Sequence, residues 1–251
     1  MALQEQFESQ GNWLFRYRGI LPIIILAVGI VVLIYSKTDP SNFFYNKTAQ
    51  EIAWYNGACI LICLIGLAIR VYTVGHTPAN TSGRNTTEQV ADSINQTGIY
   101  SIVRHPLYVG NFVMWLGIAL ALYNFWFVLV FALIYWIYYE RIMFAEEQFL
   151  RRKFGEAYTA WAAKTPAFIP NFKLITKSQE PFSWKKALKQ EKNGLVALFF
   201  VFSLFDVIGQ VVREGHDYNY ILYGICAITL IMYCILRYLK RKTYVLNEVG
   251  R

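Results

Sequence analysis

Residues 104–147, RHPLYVGNFVMWLGIALALYNFWFVLVFALIYWIYYERIMFAEE, decide the fold. Two apolar segments, 106–122 and 125–143, stand back to back with only Tyr123 and Asn124 between them. At ~1.5 Å per residue, each approaches the length needed to cross a hydrocarbon layer of ~30 Å. So short a break forces the chain to turn back, and the stretch predicts a membrane hairpin. Both of its ends are polar. Arg104, His105 and Tyr108 lead in; Glu140, Arg141, Glu146 and Glu147 lead out. The hairpin therefore folds two distant clusters onto one face of the membrane. Pro106 suits a helix start, because its missing N–H would have no intrahelical partner there. Arg104 and His105 are thereby held at the lip of the bilayer, where ionisable groups are costly and usually functional.

The rest of the chain fits this setting. Of 251 residues, 56% are hydrophobic and only 16% charged, which excludes an ordinary soluble domain. Further spans are expected at 19–36, 52–74, 194–212 and 219–239. The expected fold is all-α, a polytopic membrane bundle of about six transmembrane helices with a cofactor pocket on the cytoplasmic side. It forms a single domain over 1–251, with a catalytic core near 66–170 and an extra C-terminal helix pair near 194–240. Residues 1–18 read as an interfacial lead-in. Residues 144–163 read as an amphipathic helix with Leu150, Phe154, Tyr158 and Trp161 on one stripe. Residues 164–193 read as a basic linker, whose 181–193 part, with Trp184 and several lysines, lies on the inner leaflet.

The net charge is +8. The basic residues flank apolar spans, which points to anionic lipids and not to nucleic acid. With both termini cytoplasmic, all but Lys37, Lys47 and Arg213 of the 24 Lys and Arg fall inside, the asymmetry expected of a multi-pass membrane protein. No signal-peptide pattern opens the chain. Cys59, Cys63, Cys226 and Cys234 lie in apolar runs without metal-ligand spacing, so no metal site is expected. Only Asp206 sits well inside a span, and no matched pair of broken helices appears, which disfavours a transporter. A non-catalytic scaffold would leave the polar cluster at the hairpin ends without purpose.

Residues 98–110 (GIYSIVRHPLYVG), 145–158 (AEEQFLRRKFGEAY) and 165–170 (TPAFIP) together resemble the isoprenylcysteine carboxyl methyltransferase and phospholipid methyltransferase superfamily. The set appears in the family's order, and Gly66-x-x-x-Arg70 also suits it. The resemblance implies a membrane enzyme using S-adenosylmethionine and a lipid or lipid-attached acceptor. It implies cofactor contacts from Asn95, Tyr100, His105, Pro106, Leu107, Tyr108 and Glu146. Arg104, His105 and Arg141 are the candidate catalytic residues. Arg84, Arg141 and Glu147 are the candidate substrate-binding residues, with His76 a further anion-gripping candidate. An anionic oxygen, carboxylate or phosphate, is the expected acceptor; the amine of a phospholipid headgroup is the alternative.

Overall fold

The computed structural model describes residues 2–81, 89–248 and 250. Among them the secondary structure is helical throughout: α1 (Leu3–Arg16), α2 (Leu21–Thr38), α3 (Ala49–Gly75), α4 (Pro106–Leu120), α5 (Phe125–Phe154), α6 (Glu156–Ala162), α7 (Trp184–Val212) and α8 (Tyr220–Lys242), with 3₁₀ turns at Gly98–Ser101 and Phe172–Leu174. Side-chain caps set several starts. Thr48 and Glu51 form a reciprocal capping box at α3. Asn124 Oδ1 accepts from Phe127 N at 2.9 Å, and Ser183 and Asn219 cap α7 and α8 in the same way.

Five helices (α2, α3, α5, α7 and α8) are long and apolar enough to cross a membrane, and α4 is a shorter apolar helix of 15 residues. The protein is a multi-pass membrane protein. The hairpin forms as expected, with its turn between α4 and α5. Tyr123 takes φ +57 there, a costly conformation for an aromatic residue. It is held by its hydroxyl, which donates to Asn56 at 2.8 Å, and by packing against Phe44 and Tyr55.

α3 and α4 approach through glycines. A Cβ at Gly66 would lie 2.5 Å from Met114 N and 2.6 Å from Gly110 O; one at Gly110 would lie 2.6 Å from Arg70 Cγ. Gly117 meets Cys63 and the Cys59 carbonyl in the same way, so the two cysteines are small buried side chains of this crossing. Such backbone contact is how helices associate where lipid removes the hydrophobic drive. Leu33, Leu122, Leu198, Phe202 and Phe205 then join α2, the α4–α5 turn and α7 in one core, while Phe15, Phe131, Tyr135, Tyr139 and Ile142 pack α1 against α5.

Three expectations change. The lead-in is a helix, α1, laid on α5. The amphipathic helix does not begin at 144: α5 runs on to Phe154, Gly155 breaks it at φ +54, and α6 turns away. Its stripe faces protein, for Tyr158 is 1% exposed. The last third of the basic linker is helical. α7 begins at Trp184, and Lys186, Glu191 and Lys192 are buried rather than spread on a leaflet.

Gly66→Leu is expected to destabilise the protein by about 1–3 kcal/mol, because the α3–α4 crossing has no room to yield. Gly57→Ala, at a helical glycine with open space around it, is expected to be neutral or slightly stabilising. Thermal melts in detergent read both.

Candidate active site

The RHP segment is fixed before it reaches the helix. Residues 165–176 run beside 101–105: Arg104 N donates to Pro166 O at 2.9 Å, His105 N to Ala167 O at 3.2 Å and Asn171 N to Ile102 O at 2.9 Å. Pro166 and Pro170 keep this tail from continuing α6 as helix. His105 then sits at the N-cap of α4 with Pro106 in the first turn. Tyr108 follows one turn later, its carbonyl accepting from Tyr135 OH at 2.8 Å.

From the other arm of the hairpin, α5 brings two carboxylates. Tyr108 OH donates to Glu146 Oε1 at 2.7 Å. His105 Nε2 lies 3.0 Å from Glu147 Oε1, and Nδ1 lies 3.6 Å from Glu146 Oε2. A carboxylate only accepts, so Nε2 carries a proton. Arg104 adds Nη2 to Glu147 Oε1 at 3.1 Å and Nη1 to Ala162 O at 2.9 Å. Three groups on one arm and two on the other are thus locked into one network.

The network edges a cavity of about 640 Å³. Its walls include Asn95, Tyr100, Arg104, His105, Pro106, Leu107, Tyr108 and Glu146, so every residue expected to contact the cofactor lines one space. Gln89–Ala91, Ser93–Asn95, Phe15, Arg18, Pro22 and Trp115 also line it, and Gln89 Nε2 donates to Asn12 Oδ1 of α1 at 3.3 Å. Burial pushes the Tyr100 phenol well up, with the Glu146 carboxylate nearby adding to the shift, so it stays a protonated donor.

Other expected residues fall elsewhere. Arg141 is not among the cavity-lining residues. Its guanidinium pairs with Glu140 at 2.9 Å and lies 3.5 Å from the centre of the Phe7 ring on α1. Helical phase is the reason, because five residues along α5 turn it roughly 140° from Glu146. Glu147 does not line the cavity either; it braces His105 and Arg104. His76 is occupied, its Nδ1 meeting Glu180 O at 2.8 Å. Arg84 lies outside the described residues.

The sequence reading missed what α7 contributes. Arg70, on the cavity wall, donates from Nε and Nη2 to the two oxygens of Glu191, both at 2.8 Å, and from Nη1 to Asn111 at 2.6 Å. Gln190 lines the cavity beside it. Lys186 Nζ donates to the carbonyls of Thr77 at 2.7 Å and Pro78 at 2.9 Å, fastening α7 to the end of α3. The available signal was Arg70 itself, since a cation inside an apolar span calls for an acidic partner. Trp161, on α6, was also missed; it lines the cavity next to Arg104.

The sequence profile of the phospholipid methyltransferase family matches residues 55–157, which hold both arms of the hairpin. A nickel-cobalt-cadmium resistance protein, NccN, from Alcaligenes xylosoxydans xylosoxydans is 33% identical over 166 residues, covering 65% of this chain and 70% of the relative. The chain belongs to the isoprenylcysteine and phospholipid methyltransferase superfamily. The protein-S-isoprenylcysteine O-methyltransferase of Schizosaccharomyces pombe is 41% identical over 73 residues, 29% of this chain and 31% of that protein. The one from Tribolium castaneum is 26% identical over 122 residues, 48% and 43% of the two chains. The chain thus spans less than half the length of both of these methyltransferases. No solved structure matches.

Arg70→Gln leaves the buried Glu191 charge without its bidentate partner, a change expected to cost about 3–5 kcal/mol. Arg70→Met combined with Glu191→Leu is expected to recover much of that loss. Melting of the three proteins in one detergent checks both outcomes.

Proposed function

We propose that the protein is an S-adenosylmethionine-dependent methyltransferase acting on an anionic oxygen, carboxylate or phosphate, of a lipid or lipid-attached acceptor. The observation that carries this reading is the convergence of His105 and Tyr108 with Glu146 and Glu147 around one cavity of a methyltransferase-superfamily chain. Relatives named protein-S-isoprenylcysteine O-methyltransferase support an oxygen acceptor.

The residues present fit such a donor. The volume lies in the ordinary range for small-ligand sites, ~300–1,000 Å³. A sulfonium suits the Glu146 carboxylate and the ring faces of Tyr100, Tyr108 and Tyr139 on the same walls. Arg104 Nε and Trp161 Nε1 are buried donors without an acceptor among the described residues. Each such vacancy costs about 1–3 kcal/mol, and an anionic ligand oxygen would remove it.

When bound, S-adenosylmethionine supplies an electrophilic methyl on a positively charged sulfur. Transfer to an acceptor oxygen would form an O–C bond as the C–S bond broke, with no proton to move, so the chain's residues would need to hold and align the two reactants. The task left to the protein is placement at ~3–3.5 Å and alignment. Tyr108 holds Glu146 toward the cavity. Glu147 fixes the His105 ring and the Arg104 head through their shared oxygen. Arg141 is turned to α1 and Arg70 is bound to Glu191 and Asn111; Arg104, on the cavity wall, keeps its Nε without an acceptor among the described residues and is the cation placed to orient an acceptor anion. The apolar lining residues Phe15, Pro22 and Trp115 suit a lipid chain, and the polar lining residues Gln89, Ser93 and Asn95 suit a polar donor arriving from the cytosol.

Calorimetric titration of S-adenosylmethionine in detergent tests the site. Tyr108→Phe is expected to weaken binding by roughly tenfold or more, the loss of one hydrogen bond to a charged group. Glu146→Gln should weaken it further, and Arg141→Ala should leave it unchanged. Wild-type affinity in folded Glu146→Gln would refute the assignment. Mass spectrometry of lipids and lipidated peptides, with and without active protein, reads the acceptor as the species that gains one CH₂ on oxygen.

A further inference from the structure

A second cavity, of about 840 Å³, lies at the end of the bundle opposite the first. Helix direction establishes the opposition: Pro22 near the start of α2 and Val74 near the end of α3 line the first, whereas Lys37 at the end of α2 and Ile52 at the start of α3 line the second.

Lys37, Lys47 and Arg213 are the three cations that the six-span topology assigns to this end, and all three line the cavity. Cations are scarce on this side of the chain, so their meeting at one place is informative. Asp206, the lone charge well inside a predicted span, lines it as well. Most of these groups are committed. Lys47 pairs with Glu51 at 2.9 Å. Arg213 bonds to the carbonyls of Lys37 and Tyr45. Asp206 accepts from Tyr223 OH at 2.6 Å and Asn219 N at 3.0 Å, holding the start of α8.

Lys37 is different. Its Nζ lies 4.1 Å from the centre of the Tyr123 ring, and it forms no ion pair among the described residues. Gly209 makes room for its stem, since a Cβ there would stand 3.3 Å from Lys37 Cε. The Asp206 carboxylate acts on it by charge without forming a salt bridge among the described residues, and a half-buried ammonium held over a ring is stabilised further by an anion placed against it. The lining also holds the acids Glu214 and Asp217 and the amides Asn56 and Gln210; its apolar part, Phe199, Phe202, Phe205 and Leu222, reaches the exposed side chains Ile221 and Ile225. A cation above an apolar slot that opens to the bilayer complements one kind of molecule, an anionic head carrying an acyl chain.

We propose that this cavity binds a membrane phospholipid from the leaflet opposite the active site, with its phosphate on Lys37 and an acyl chain along Phe199, Phe202 and Ile225. It is a binding site separate from the methyl-transfer cavity and shares no lining residue with it.

Native mass spectrometry of delipidated protein in detergent tests this, titrating phosphatidylglycerol, diacylglycerol or inorganic phosphate. Phosphatidylglycerol is expected to bind at one per chain, with diacylglycerol about tenfold weaker or worse, and inorganic phosphate at equal concentration should not displace it. Lys37→Gln and Ile225→Trp, the second filling the mouth without touching the cation, should each weaken the lipid about tenfold, while His105→Ala should not. Circular dichroism identifies the folded variants. Unchanged lipid affinity in either folded variant overturns the proposal. So does equal binding of diacylglycerol, which would mean annular lipid, or displacement by inorganic phosphate, which would mean a free-anion site.

Discussion

Glu146 and Glu147 stand side by side on α5 and receive a phenol, an imidazole and a guanidinium from the other arm of the hairpin. In a membrane an ionised group without a partner is untenable, and these five groups answer one another's need. The hairpin turn, the 165–176 tail and the glycine crossing of α3 with α4 all serve to bring them within hydrogen-bond reach. Small errors in any of the three would leave charges facing hydrocarbon.

The hairpin was legible because its signal is local: two apolar lengths, a two-residue break and polar ends. Pro106 marked a helix start, and the residues placed around it now share one cavity. Arg141 was not legible in the same way. Adjacency in sequence suggested the site, but the phase of α5 and the cover of α1 turn it toward Phe7. Glu147 shows a subtler limit: the sequence placed it near the ligand but could not tell a group that touches ligand from one that holds its neighbours.

The start of α7 was misread for a physical reason. A run of lysines ordinarily marks a solvated face, and nothing local reveals that Lys186 will find the Thr77 and Pro78 carbonyls or that Glu191 will find Arg70. These are long-range pairings, set by tertiary packing. They place α7, which lies beyond the residues matched by the family profile, against the wall of the methyltransferase cavity.

α4 has only 15 residues, about 22 Å of rise against a hydrocarbon depth of ~30 Å. It is too short to reach both surfaces, so at least one end of this arm lies within the depth of the bilayer. Lifting an alkyl tail out of the bilayer costs about 0.8 kcal/mol per CH₂, or ~8 kcal/mol for ten carbons. Under the proposed function, a reaction centre at the end of so short a helix would remove that extraction work, because a tethered reactant could present its polar end while its tail stays dissolved.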